Sequence, residues 1–246
     1  MSTLLLRLAA PLQAWGLSRF NSRTTEREPT KSGVIGLLAA SLGIRRDEPL
    51  DELLPLKFAV RVDQPGTFLR DFQTAKATNE KNPTVTDRYY LQDAVFVAAV
   101  EGDGALLARL EAALLNPAFP LYLGRRACPP ELPLVLGIRE LTAEDALRAE
   151  PWLARAWYRE KHRGGAPSLE IIADAAPGET EAVHDALRDA VHDALRDTVR
   201  DTPISFAPTH RVYGFRYRRR ERAAVVSGDS GTIAEHDPFA ELEVSE

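Results

Sequence analysis

Residues 29–44 read PTKSGVIGLLAASLGI, a Lys-Ser pair at the head of an apolar run punctuated by glycine. Thr30 after Pro29 is a good N-cap and Gly43 a good C′ residue, while Val34, Leu37, Leu38 and Leu42 recur at helical spacing, so the stretch predicts a helix over 30–43. Upstream, 3–10 is a short leucine-rich run that reads as a strand, and the polar loop between them carries Arg19, Arg23, Arg27 and Lys31. Lysine and serine at a helix start suggest an anion, and the first candidate is a nucleotide phosphate. A P-loop needs glycine directly before the lysine and again five positions earlier, because its backbone N–H groups close around the phosphate. Those positions hold Thr30 and Thr25, which removes nucleotide enzymes of that class. The free N–H groups and dipole of the helix start still let Lys31 and Ser32 meet another phosphate. The competing reading is that Gly33 and Gly36 only let the helix lie close on a sheet.

Working outward, 56–62 reads as a second strand and 90–100 as a third. The turn GDG at 102–104 leads into a helix over 105–115, stopped by Asn116 and Pro117, and 119–123 and 134–138 look like further strands. The order strand, helix, strand, strand, helix, strand is an α+β plan, the ferredoxin-like or split βαβ arrangement shared with the RRM. Residues 1–140 are expected to form this domain. Within it, 71–90 is long, polar and poor in pattern, and is expected to project as a hairpin. The plan hosts many activities, so it does not by itself assign one.

Residues 141–222 are less regular and are expected to pack as a β-containing part on the same core. Thr142 with Asp145 forms a capping box, Pro151 interrupts the helix that follows, 152–162 continues as a second helical piece, and 168–173 reads as a strand. AVHDALRD then occurs twice in tandem, at 182–189 and 190–197. Its apolar residues recur every fourth position, compatible with an amphipathic helix, but two copies are too short for a solenoid; His184 and His192 read as solvated, and a metal pair is the lesser alternative because a spacing of eight rotates one well away from the other.

The chain has 246 residues, 44% hydrophobic and 27% charged, as expected of a globular protein with a sizeable core. No run of eighteen apolar residues suits a membrane, and Arg7 and Pro11 interrupt the N-terminal segment before a signal-peptide core could form, so a cytoplasmic location is expected. Cys128 is the only cysteine, which excludes an internal disulfide and any multi-cysteine zinc site. The formal charge of -5 hides a segregation: 223–246 holds six acidic residues and no Lys or Arg, and without it the charge is +1. This stretch reads as a flexible acidic tail on a body whose basic residues are clustered.

The clusters suit nucleic acid. In 209–222, THRVYGFRYRRRER, alternation puts Tyr213, Phe215 and Tyr217 on one face of a strand and Arg216, Arg218, Arg220 and Arg222 on the other, so that one face packs and the other holds phosphates. A solvated edge strand explains the same pattern. Gly124, Arg125 and Arg126 make a second basic point, where two adjacent guanidiniums can fork onto phosphate or simply line an exposed turn. An endoribonuclease is the alternative. Metal-free RNA cleavage needs a base, an acid and a cation, and Tyr158, Lys161 and His162, with His210 near the basic strand, supply those types.

Six blocks in order carry a resemblance: LQAWG (12–16), PTKSGVIGLLAASLGI (29–44), DFQT (71–74), TDRYYLQDAVF (86–96), YLGRRACPP (122–130) and PISF…HRVYGFR (203–216). Together they resemble the CasD family, the crRNA 5′-handle-binding subunits of type I-E Cascade, within the RAMP superfamily. The resemblance implies a non-catalytic RNA-binding protein with a ferredoxin-like domain and a projecting thumb within 71–90. Such a subunit grips the 5′ handle of CRISPR RNA, caps the filament of backbone subunits, contacts the large PAM-reading subunit and meets target DNA only indirectly. No cofactor, metal or membrane is implied. The basic clusters and the resemblance together make Arg19, Arg23, Lys31, Ser32, Gln73, Lys76, Arg88, Arg125, Arg126, Arg211, Tyr213 and Arg216 the expected RNA-facing residues. The tandem repeat and the acidic tail match nothing in the family pattern.

Overall fold

A computed structural model describes residues 1–16, 22–76, 84–162, 167–175 and 198–225. Arg19, the tandem AVHDALRD and 226–246 of the acidic stretch therefore lie outside the described residues. The elements in chain order are β1 (Ser2–Ala9), β2 (Leu12–Gln13), β3 (Ser22–Arg23), α1 (Lys31–Leu42), β4 (Lys57–Gln64), β5 (Thr67–Ala75), β6 (Thr84–Gln92), β7 (Val95–Gly102), α2 (Gly104–Leu115), β8 (Val135–Arg139), α3 (Ala143–Ala149), α4 (Ala156–Lys161), β9 (Ser168–Asp174), β10 (Thr198–Ser205) and β11 (Val212–Ala224).

Seven strands form one antiparallel sheet in the order β10-β11-β9-β4-β7-β1-β8. Its two faces follow from alternation: Leu4, Leu6 and Leu8 of β1 point into the core shared with α1 and α2, and Leu5 points to the side covered by α3. The helix α1 starts and stops for local reasons. The Thr30 hydroxyl accepts the Gly33 N–H at 3.2 Å, and Gly43 closes the end at φ 81°, a conformation that suits glycine. Its burial goes beyond the expected stripe, taking in Ile35, Ala39 and Ser41, because β10 and α2 also pack against it.

A smaller sheet orders as β2-β6-β3, with β5 paired to β6. Of the stretch 71–90 expected to project, the described residues belong to two antiparallel nine-residue strands, β5 and β6, that stand apart from the large sheet, and 77–83 lie outside the described residues. The expected single strand over 90–100 is divided, since β6 ends at Gln92, Asp93 turns at φ 56° and donates its N–H to the Pro11 carbonyl, and β7 begins at Val95. No strand forms over 119–123. Pro117 and Pro120 lack donors, and the N–H groups of Ala118 and Phe119 go to the Ser41 and Ala40 carbonyls at the end of α1.

The helical piece expected over 152–162 shrinks to α4, because the residues before it are held by β4 instead. The Trp152 indole donates to the Asp63 carbonyl, the Leu153 N–H to the Asp63 carboxylate and the Arg155 N–H to the Gln64 side chain. Beneath them Arg61 is fully buried, forked onto Asp63 and donating also to the carbonyls of Leu147, Glu150 and Pro151. This single guanidinium ties the end of α3 to the sheet. A strand the sequence pattern did not suggest, β10, pairs with β11.

Candidate nucleic-acid interface

The anion at the start of α1 is Asp201, on β10. The Lys31 N–H donates to Asp201 Oδ2 at 2.9 Å, so a carboxylate of the chain itself occupies the place where a phosphate could sit. Lys31 Nζ reaches Asp174 Oδ2 at 2.8 Å, and Arg216 completes the cluster, forked onto Asp201 at 2.6 and 2.9 Å and reaching Asp174 Oδ1 at 2.7 Å. Burial alone would lower the Arg216 pKa, but the two carboxylates hold it above the usual arginine value. Ser32 is buried, with its hydroxyl 3.4 Å from that of Thr30. Lys31, Ser32 and Arg216 thus build the interior rather than an RNA-facing surface.

The expected faces of β11 are reversed. Phe215 is 70% and Tyr217 48% exposed, while the Arg218 side chain is 10% exposed against Glu28, which Arg220 also meets. Over 215–218 the aromatic residues face out and Arg216 and Arg218 face in, because Asp174, Asp201 and Glu28 wait inside and paired charges of opposite sign can be buried where an unpaired arginine could not, whereas Tyr213 is half-buried and Arg220 and Arg222 are exposed. Burial, with the Glu28 charge next, pushes the Glu26 carboxyl up.

A different surface gathers cations that are not used up. At the base of the hairpin, β3 pairs in parallel with β6 and sets Arg23 beside Arg88. From the turn after 122, Arg125 lies over the Tyr90 ring at 4.5 Å and donates Nη2 to the Arg23 carbonyl at 2.8 Å. Arg88 Nε and Arg125 Nη1 are both buried and have no acceptor among the described residues. Buried donors almost always find a partner, and although the Nε atoms of Arg7, Arg155, Arg211 and Arg218 are also without one among the described residues, here two such guanidinium groups come from segments that meet at Arg23.

Three segments are stitched to make this place. Ala14 N–H donates to the Leu123 carbonyl, Trp15 N–H to the Thr25 hydroxyl, and Glu26 N–H to the Trp15 carbonyl. Gly124 adopts φ 85° and passes so close to the Ala14 carbonyl that a Cβ would sit 1.6 Å from its oxygen, so only glycine allows Arg125 to approach.

The neighbouring hairpin adds rings. Phe68 and Phe72, 50% and 60% exposed, share one face of β5 with Arg70 between them, and Arg27 lies 5.3 Å over Phe68. The phrase FLRDF at 68–72 carries this alternation in the sequence and overlaps the start of the polar stretch 71–90. Of the other expected residues, Gln73 donates to Asp71 at 2.6 Å, Lys76 and Arg126 are exposed, and Arg211 is half-buried with Nε orphaned. Tyr213 is half-buried edge-on to Phe206.

The nuclease candidates do not form a reacting set. Tyr158 stacks on His162 with centroids 4.1 Å apart, and His162 Nδ1 lies 2.8 Å from the Tyr158 carbonyl, which can only accept. Burial pushes the Tyr158 hydroxyl up, opposite to what a general base needs. Lys161 and His210 are exposed. Among the described residues no three His, Cys, Asp or Glu side chains gather to hold a metal, and no helix is long and apolar enough to cross a membrane.

Known proteins resemble this chain over most of its length. The family profile described as "CRISPR-associated protein (Cas_Cas5)" matches residues 3–219. A curated relative, "CRISPR system Cascade subunit CasD" of Escherichia coli (strain K12), is 42% identical over 158 residues, 55% of this chain and 70% of that protein. A solved chain of a "CRISPR RNA-guided surveillance complex" superposes with a TM-score of 0.72 at 34% identity, covering 91% of this chain and 90% of the other. Another, described as "Crystal structure of Cas protein", gives 0.65 at 35% identity over 90% and 95%. With a family match that spans both sheets and the segments stitched at the hairpin base, this chain belongs to the Cas5 family of CRISPR-associated proteins.

Proposed function

We propose that this chain is the subunit of a type I-E Cascade surveillance complex that grips the 5′ handle of CRISPR RNA and does not cut it. One observation carries the reading: Arg88 Nε and Arg125 Nη1 are buried without acceptors where the hairpin, the 22–28 segment and the 122–126 turn converge. Handle phosphates satisfy these donors, Arg23 and Arg126 add charge, and the exposed Phe68 and Phe72 stack unpaired bases. In this reading β1, α1, β4, β7, α2 and β8 are the ferredoxin-like core, and β5 with β6 is the thumb that sets RNA register, with Gln73 and Lys76 along it. The chain would cap the backbone filament and touch the large subunit in the cytoplasm; the relatives named as Cascade and surveillance-complex chains support its membership of such a complex.

Handle RNA binding by the purified chain tests the reading. The logarithm of affinity should fall with the logarithm of salt concentration by about 0.7 per phosphate neutralised. Salt-independent binding, or site-specific cleavage of repeat RNA in EDTA that His162 and His210 substitutions abolish, would overturn it.

A further inference from the structure

The charge of this chain is divided between two places that match. Residues 226–246 hold six carboxylates, Asp229, Glu235, Asp237, Glu241, Glu243 and Glu246, and no Lys or Arg. The hairpin base holds Arg23, Arg88 and Arg125, with two guanidinium N–H groups unmet. Within the acidic stretch, 235–243 reads EHDPFAELE, acids two apart on either side of a phenylalanine. In an extended chain, side chains two apart share one face about 6.6 Å from each other. Such a segment offers what a short single strand of nucleic acid offers, a row of anions with a ring among them.

We propose that 235–243 is a nucleic-acid mimic that occupies the hairpin base until RNA displaces it. Its carboxylates accept from the orphaned donors of Arg88 and Arg125, and Phe239 lies against the exposed Phe68 and Phe72. This rests on reading the hairpin base as a polyanion site. The mimic raises the Kd of every RNA at that base by one factor. Tight handle binding survives the rise, and weak binding of unrelated RNA does not.

The reach is sufficient. β11 passes the 22–28 segment at Arg218, which meets Glu28, and Arg27 of that segment lies over Phe68. From Arg218 to Val225 the chain runs on by about 23 Å, at about 3.3 Å per residue, and the ten residues from Val225 to Glu235 span up to about 33 Å, enough to return.

Cations nearer to Val225 are already engaged. Arg216 is forked onto Asp201, Arg218 and Arg220 meet Glu28, Arg219 meets Glu144, and Arg155 beside α4 meets Glu131 and Asp93. An acidic segment leaving Val225 gains more at the hairpin base, where three arginines converge and two donors are unmet, than at these paired sites.

The size of the effect follows from tethering. With an effective concentration of about 1 mM and an intrinsic Kd of about 0.1 mM, the weak end of non-specific polyanion binding, the mimic weakens RNA binding about tenfold.

The test compares the full chain with one ending at Val225, which keeps every described residue, in binding handle RNA and an unrelated RNA of equal length. Truncation should lower both Kd values about tenfold at low salt, and the difference should close as salt rises. Because six lost charges also act at long range, benzophenone photo-crosslinking from position 239 of the full chain is the second measurement. Without RNA, adducts should fall in 22–28, 68–92 or 122–126, and excess handle RNA should suppress them. Adducts on α4 or elsewhere, adducts that RNA leaves unchanged, or no adduct would overturn the proposal, as would a truncated chain whose Kd values stay within about twofold of the full chain's. Those results leave the handle reading standing. Handle RNA bound by neither form refutes that reading, and this proposal with it.

Discussion

Replacing Arg125 with alanine separates its two duties, one inside the protein and one towards RNA. Inside, the change removes a cation–π contact with Tyr90 at 4.5 Å and a hydrogen bond to the Arg23 carbonyl at 2.8 Å. Half-exposed contacts of these kinds contribute about 0.5–1 and about 1 kcal/mol, so the fold should lose roughly 1.5–2 kcal/mol and stay folded. Towards RNA, the orphaned Nη1 is expected to make one charge-assisted bond to a phosphate. Such a bond is worth about 1.5–3 kcal/mol, which predicts a roughly 10- to 150-fold rise in Kd for handle RNA. Fluorescence anisotropy across a salt series reads both terms, and the log–log slope should become shallower by about 0.7. Arg125→Lys keeps a point charge but not the planar fork or the ring contact, so it should restore the slope while recovering only part of the affinity. A Kd within twofold of wild type and an unchanged slope for Arg125→Ala would refute the assignment of Nη1 to a phosphate.

Other outcomes follow from the same contacts. Phe72→Ala, at a residue 60% exposed, should weaken RNA binding by about 1–3 kcal/mol through lost stacking and leave Tm nearly unchanged, as read by anisotropy and thermal melting. Arg61→Met strands the buried Asp63 carboxylate and frees the carbonyls of Leu147, Glu150 and Pro151, so chemical denaturation should register a loss of about 3–5 kcal/mol. Burial works to raise the Glu101 pKa, but Lys57 Nζ at 2.7 Å and the Ala143 N–H at 2.9 Å outweigh it and hold the carboxyl below its usual 4.5. A depressed carboxylate pKa stabilises the fold fully above the unfolded value and ceases to as pH falls through the folded one. Denaturation midpoints should therefore decline below about pH 4.5, and Glu101→Gln should flatten that decline.

What the sequence could disclose depended on how local the cause was. The ends of α1 were readable because Thr30 and Gly43 act within their own turn. The question of its anion was readable too, but the answer was not, since Asp201 is 170 positions from Lys31 and sits on a strand of polar residues broken by Pro203. Alternation along β11 was plain, yet its inward face was misjudged. Hydropathy turns aromatic residues inward, and only the carboxylates of Asp174, Asp201 and Glu28, from three other segments, draw Arg216 and Arg218 inside. Arg23, Arg88 and Arg125 were each legible as basic residues. Their convergence was not, because it depends on a parallel pairing of two residues and on a glycine pressed against a carbonyl.

The central claim is that handle RNA lies at the hairpin base. Photo-crosslinking of the assembled complex with 4-thiouridine placed along the 5′ handle, followed by peptide mapping, tests it most directly. Adducts should fall in 22–28, 68–92 and 122–126. Adducts confined to the β10–β11 face, or to the start of α1 where Asp201 already occupies the N–H groups, would contradict it.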